Sequence, residues 1–315
     1  MLQKIDNRYL ILIALAVIVA VLPLIFPSSY YFRVASLVWV SAFAAIGLNV
    51  LMGNAGQVSL GHAGFFGIGA YAVAIGPAHF GIPTWAALII GCAISSVLAY
   101  LVGRPILKLK GHYLAIATLG LGVLVALVIT TESRWTGGPD GMPVAKLTLF
   151  GWRVSGSDTW YWISGGMLWL GTWLALNLYN TPTGRAFRAL HDSEVAARVA
   201  GIDVARFKLQ AFVIAAAYAS VAGSVLAMMN GFINPDQAGF LHSVEMVTMV
   251  VLGGLGSVVG SIVGAAVLIT LPQVLTVFQE YEHLLLGFII IVSMIFMRDG
   301  IVPTLSRALA KRTKA

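Results

Sequence analysis

The amino-acid sequence predicts an all-α, polytopic integral membrane protein, a single domain of about ten transmembrane helices over residues 1–315. Three observations lead there. Of 315 residues, 59% are hydrophobic and the mean hydropathy is +0.91. Only 10% are charged, whereas a soluble globular domain carries about a quarter. The apolar residues gather in runs of roughly 17–25, the length a helix needs to cross a bilayer, and these runs set aside a large soluble core.

The first run, 10–26, follows Lys4 and Arg8. It has the look of a secretion signal, but Pro27-Ser28-Ser29 offers no small-x-small cleavage site, so it is expected to stay as a first span. Further spans are predicted over 33–51, 58–76, 84–103, 112–131, 160–179, 209–229, 243–254, 257–278 and 284–298. The 243–254 segment is short for a crossing. A broken or re-entrant helix is tolerable there only where protein or water surrounds it.

Of the 19 Lys and Arg residues, all but Arg33, Arg134, Lys146 and Arg153 fall on one side of this arrangement. That side is expected to be cytoplasmic, with both termini. The asymmetry accounts for the net charge of +7 without a nucleic-acid partner. Cys92 lies in an apolar run, can form no internal disulfide and reads as a small hydrophobe. No H-E-x-x-H, C-x-x-C or G-x-S-x-G occurs, so neither a metal centre nor a serine hydrolase is indicated. On the other side, the 132–159 loop holds the turn-forming TGGPDG (136–141). Trp135, Trp152, Trp160 and Trp162 near it suit an interfacial aromatic belt.

One stretch breaks the apolar pattern. Residues 184–202 read GRAFRALHDSEVAARVAGI and hold Arg185, Arg188, Asp192, Glu194 and Arg198. The connection containing them, about 181–208, far exceeds the 2–8 residues usual between helices of a bundle. Thr181-Pro182 reads as an N-cap with proline at the first helical position. His191-Asp192-Ser193 offers a break and a second cap. Glu194 and Arg198 stand four apart in the favourable order, and Gly201 suits a helix end. Two short helices with a kink, outside the membrane, are expected. A solvated connector is the alternative, but small residues (Ala189, Ala196, Ala197, Ala200) interleaved with charges suit a surface that docks another protein.

A second cluster lies at membrane depth: Asn49, Asn54, Gln57, Ser59 and His62, with Gly53 and Gly56 beside Asn54 permitting non-helical backbone. Such groups need a partner or water. The cluster reads as a lining, gate or hinge of a translocation path, against the alternative of hydrogen bonds that tie helices together, which His62 taken alone favours. A Ser59–His62 dyad of an intramembrane protease lacks its flanking pattern. His242 and Glu245 either line the outer mouth or face water. Gly256, Gly260 and Gly264, and separately Gly61, Gly64 and Gly67, suit close helix packing. Their positions in opposite halves of the chain hint at an internal repeat. No Asp, Glu, Lys or Arg sits mid-span, which argues against an ion-coupled secondary transporter.

EVAARVAG (194–201) resembles the E-A-A-x-x-x-G loop of ABC importer permeases, with Val195 inserted. With GRAFRALHDSEVAARVAGIDVARFKLQAF (184–212), GLNVLMGNAGQVSLGHAGFFGIGAYA (47–72), TGGPDGMP (136–143) and VLGGLGSVVGSIVGA (251–265), the chain is similar to M-type permease subunits of branched-chain amino acid ABC importers over almost its whole length. The resemblance implies the ABC importer permease fold in a bacterial inner membrane. It implies an H-type second permease, two cytoplasmic ATPases carrying ATP and Mg²⁺, and a periplasmic or lipoprotein solute-binding protein facing the 132–159 loop. Gly184, Arg185, Arg188, Asp192, Glu194, Ala196, Ala197, Arg198 and Gly201 would form the loop that couples to the ATPases. This chain would bind no cofactor and catalyse no reaction itself, and it has no G-x-x-x-x-G-K-[ST]. A urea or short-chain amide permease is the alternative within the superfamily.

Overall fold

The computed structural model describes residues 7–149, 152–274, 287 and 299–312. The chain runs through α1 (Asn7–Ile25), α2 (Ser29–Asn49), α3 (His62–Phe80), α4 (Thr84–Ile106), α5 (His112–Thr131) and the short α6 (Ser133–Thr136). Then follow α7 (Ser157–Asn180), α8 (Pro182–Asp192), α9 (Glu194–Val199), α10 (Val204–Asn230), α11 (Phe240–Gly253), α12 (Val258–Val274) and α13 (Ile301–Arg312). Among the described residues, six helices are long and apolar enough to cross a membrane: α1, α2 with its continuation to Asn54, α3, α4, α5 and α10. At 24 residues α7 also has the length. The shorter α11 and α12 have 14 and 17 residues. The predicted 284–298 span and the end of 257–278 lie outside the described residues, apart from residue 287.

The long α10 occupies the centre and packs against α2, α3 and α4, while α2 also packs against α7 and α12. Without a hydrophobic drive between helices in lipid, close backbone approach must supply the contact, and glycines provide it. A β-carbon on Gly69 would collide with the Ser220 carbonyl of α10, and one on Gly223 with the Phe66 carbonyl of α3. Ser224 Oγ then donates to the Gly69 carbonyl at 2.9 Å. A second seam forms around Tyr218, which stacks on Phe43 at 4.6 Å and donates to the Gly171 carbonyl of α7 at 2.9 Å.

Proline shapes α1. Pro23 has no N–H to give the Val19 carbonyl one turn back. The buried Tyr161 of α7 donates its hydroxyl to that carbonyl at 2.8 Å. α1 is thereby fastened to the bundle, with Leu12, Leu15 and Val19 in the core.

The 132–159 segment is tied down by short β pairs. β1 (Met142–Pro143) pairs antiparallel with β4 (Phe232–Ile233), and β2 (Thr148–Leu149) with β3 (Trp152–Arg153). TGGPDG forms the turn before β1 with left-handed backbone at Gly137, Gly138 and Gly141. The aromatic belt needs correction. Trp135 and Trp162 are exposed, but Trp160 is buried, because it faces inward on the first turn of α7. Cys92 is half-buried on α4, so it is not a fully enclosed hydrophobe.

The glycine series also divides. Gly260 and Gly264 lie on α12, where β-carbons would meet the Gly253 and Met249 carbonyls of α11. Gly61 and Gly64 lie against Gly122 of α5, and Gly67 against Ala238. Gly256, however, is not on that helix face. It sits in the turn before α12 at φ +76°, so the three glycines are not one continuous packing stripe.

The polar turn and the charged island

α2 does not end where its apolar run ends. After Asn49 the helix widens into a π-helical turn, Val50–Asn54, a rare form found often at functional sites. Non-helical residues 55–61 follow, so α3 starts at His62, later than the run from 58 suggests. A helix starting inside a membrane protein leaves N–H groups without partners. Here side chains supply them. Thr118 Oγ1 of α5 accepts from Leu60 N at 3.1 Å, and Ser243 Oγ of α11 accepts from Ala63 N at 2.9 Å.

All five polar residues of this region are buried. The Asn49 amide bridges to the turn before α12. Its Nδ2 donates to Ser257 O and Ser261 Oγ, each at 2.8 Å, and its Oδ1 accepts from Gly256 N at 2.8 Å. A β-carbon on Gly53 would strike both Asn49 Oδ1 and Gly256 N. The glycine-rich segments of the two halves of the chain therefore meet here. Gln57 Nε2 donates to the Ala55 carbonyl at 2.9 Å. Ser59 Oγ and His62 Nδ1 are hydrogen-bonded at 2.8 Å, with the ring edge-on to Phe65 and Phe212. Among the described residues, Asn54 Nδ2, His62 Nε2 and the Tyr179 hydroxyl are buried without a well-formed hydrogen bond, although the Asn54 amide lies near the Tyr179 hydroxyl.

The island joins α7 to α10. Thr181 Oγ1 accepts from Gly184 N at 3.2 Å, with Pro182 at the first helical position, and α8 follows. Ala186, Phe187 and Leu190 are buried on one face of α8, with Phe187 edge-on to Phe207. Arg185 and Arg188 reach back to the end of α7. Arg188 Nη1 donates to the Tyr179 carbonyl at 2.8 Å, and Arg185 Nη1 to that of Asn180 at 3.4 Å. These carbonyls carry the negative end of the α7 dipole. Asp192 is exposed at the kink. Ser193 Oγ accepts from Ala196 N at 3.2 Å and starts α9, and Gly201 closes it at φ +79°.

Two features of the island differ from the sequence expectation. Glu194 pairs with Lys208 on α10 rather than with Arg198, and the Lys208 side chain is only 3% exposed. Ala197 faces inward against Leu190 and Val204, so it offers no outward surface. The outward face of α9 is instead apolar at Val195 and Val199, 70% and 85% exposed, beside Ala196, Arg198 and Ala200. The island rests on the polar turn. A β-carbon on Gly56 would lie 3.2 Å from the Cα of His191. At the opposite end of the bundle, His242 Nδ1 and Glu245 Oε2 are 3.0 Å apart, one turn along α11, with the His242 ring edge-on to Phe66.

Lys208, Tyr179, Ser257 and Ser261 escaped the reading of the sequence. A lone lysine at the start of an apolar run was a signal for a buried pair. The two serines carried none, since their partner is 208 to 212 residues away.

Residues 30–294 match the family model described as branched-chain amino acid transport system / permease component. The high-affinity branched-chain amino acid transport system permease protein LivM of Salmonella typhimurium is 34% identical over 294 residues, covering 86% of this chain and 69% of that protein. LivH of the same organism is 27% identical over 287 residues, covering 83% and 90%. The autoinducer 2 import system permease protein LsrC of Klebsiella pneumoniae is 32% identical over 173 residues, covering 52% and 48%. No solved structure matches the chain. The family match takes in the polar turn, the island and the α11–α12 seam together, and on it the chain belongs to the permease components of the branched-chain amino acid transport systems.

Proposed function

We propose that the chain is the membrane-spanning subunit of an ATP-driven importer of leucine, isoleucine and valine. It would form the translocation path with a second permease of the LivH kind. Two cytoplasmic ATPases would bind ATP and Mg²⁺, and a soluble solute-binding protein would deliver the amino acid to the 132–159 face. The lysine and arginine asymmetry supports an orientation with the island and both termini in the cytoplasm of the bacterial inner membrane. The LivM and LivH names favour branched-chain amino acids over urea or amides. The LsrC match shows that related permeases also serve an unrelated solute, so the substrate is tested separately, by competition of leucine, valine and urea for uptake.

The observation that carries the coupling role is the exposed apolar face of α9. Val195 and Val199 stand on a short, doubly capped helix that buries only Ala197 against its own chain. Such a face suits a groove on an ATPase. Movement of α9 would reach α8 and then the polar turn through the Gly56–His191 contact. The π-helical turn and residues 55–61 would act as the hinge, with Asn54, Gln57, Ser59 and His62 around it and Asn49 holding the fixed side. Replacing both valines with glutamate (V195E/V199E) tests this. The variant should insert normally and lose leucine uptake by more than about tenfold, since two buried apolar contacts of ~1.5 kcal/mol or more are removed. Uptake at the wild-type rate with normal insertion would refute the docking role.

A further inference from the structure

We propose that the groove between the end of α4 and the start of α10 binds one anionic phospholipid. This goes beyond the transport reading and rests only on its orientation. The groove, ≈ 1470 Å³, is bounded by α4, the end of α7, α9 and the first turns of α10. Its floor is a close helix contact: a β-carbon on Gly103 would lie 2.8 Å from Leu209 Cδ1 and 3.1 Å from Phe212 Cδ1.

The mouth is strongly basic. Arg104, Lys108, Lys110, Arg198, Arg206 and Lys208 line it against two carboxylates, Glu194 and Asp203. Both carboxylates are engaged. Glu194 is bonded to Lys208, and Asp203 Oδ1 accepts from Arg206 N as the cap of α10. Arg104 lies over the Tyr100 ring, 4.4 Å from its centre, and donates to its hydroxyl. Lys108, Lys110, Arg198 and Arg206 are exposed and form no ion pair among the described residues. Deeper in, the walls turn apolar with Leu178, Leu209, Val213 and Ile214. From Arg206 to Ile214 is roughly 12 Å along the helix axis, enough to receive the first part of an acyl chain.

That combination selects the ligand. A phosphodiester headgroup takes the cations and its acyl chains take the wall, whereas a free phosphate has no use for the wall. The mouth would sit in the headgroup layer of the cytoplasmic leaflet, where anionic lipids attract basic clusters. The groove adjoins the apolar docking face through Arg198, but neither Val195 nor Val199 lines it.

The test is native mass spectrometry of the full chain in neutral detergent, offered phosphatidylglycerol or phosphatidylcholine. The wild type should retain one phosphatidylglycerol and little phosphatidylcholine. K108Q/R206Q, which alters exposed side chains only, should weaken retention roughly 25-fold, about fivefold per cation. R134Q/K146Q at the opposite end should leave it unchanged. Equal retention of both lipids, or undiminished retention by K108Q/R206Q, would overturn the proposal. So would a matching loss in R134Q/K146Q. Displacement of the lipid by millimolar inorganic phosphate would make this a free-anion site and likewise overturn it. Retention by the isolated chain but not by the assembled transporter would mean that a partner subunit covers the groove, with the same result.

Discussion

Replacing Glu194 with glutamine should loosen α9 from the bundle by an amount that the burial of Lys208 sets. The lysine side chain is 3% exposed and its carboxylate partner 24%. Removing one partner of a buried pair leaves an uncompensated charge, which costs about 3–5 kcal/mol. Because Glu194 is partly wet, the low end applies, about 3 kcal/mol. That corresponds to an increase on the order of 100-fold in the open population of the island. Limited trypsin digestion reads it directly, through the cleavage rate after exposed Arg198 when opening is fast relative to cutting. A second substitution separates charge from packing. Lys208→Met keeps much of the volume and removes the buried charge, so E194Q/K208M should return cleavage to within a fewfold of the wild-type rate. E194Q cleaved no faster than wild type would refute the argument. So would failure of Lys208→Met to rescue, because the unpaired ammonium would then not be the source of the loss.

Four further outcomes follow from how the helices bond and pack. Asn49→Ala removes three hydrogen bonds; at ~0.6 kcal/mol each in a membrane bundle, the loss is about 2 kcal/mol. SDS unfolding measures it, and a cycle with Ser261→Ala should return a coupling of about 0.6–1.7 kcal/mol. Gly69→Val drives a side chain into the Ser220 backbone and should cost about 3 kcal/mol or prevent accumulation. Gly166→Ala, where an added methyl meets nothing within 4 Å among the described residues, should be neutral or slightly stabilising in the same SDS-unfolding assay. Tyr161→Phe frees the Val19 carbonyl left by Pro23 and should cost ~1 kcal/mol, seen as faster proteolysis of α1 with the remaining bundle intact.

What the sequence revealed about the island was what local chemistry encodes. Thr181-Pro182, Ser193 and Gly201 fix helix starts and stops within three or four residues, and all three cap as their types predict. The partner of Glu194 was not local. Arg198 satisfied the i,i+4 rule but is exposed to solvent, while Lys208 arrives from the next helix with nowhere wet to go and takes the carboxylate. Apolar runs located the long helices but not their ends. A run continues through 58–61 although the backbone there is not helical, and GxxxGxxxG kept its spacing across the turn that begins α12. Spacing reports a helix face only once the helix exists, and left-handed backbone at Gly254 and Gly256 shows that it does not exist there.

The polar residues at membrane depth divide by what they bond. Thr118, Ser243 and Asn49 satisfy main-chain groups that the break between α2 and α3 and the turn before α12 would otherwise strand. In lipid such groups have no water to fall back on, so the irregular backbone depends on these side chains. Among the described residues, Asn54 Nδ2, His62 Nε2 and the Tyr179 hydroxyl sit in the same region without a well-formed hydrogen bond, the Asn54 amide lying near the Tyr179 hydroxyl. A buried polar atom lacking a partner favours any rearrangement that supplies one. The Asn49 side of the junction has both amide N–H groups and the amide oxygen bonded and would resist movement, while the side resting on the island holds polar atoms that a shift of the turn could pair. A push on α8 and α9 would meet that second side first.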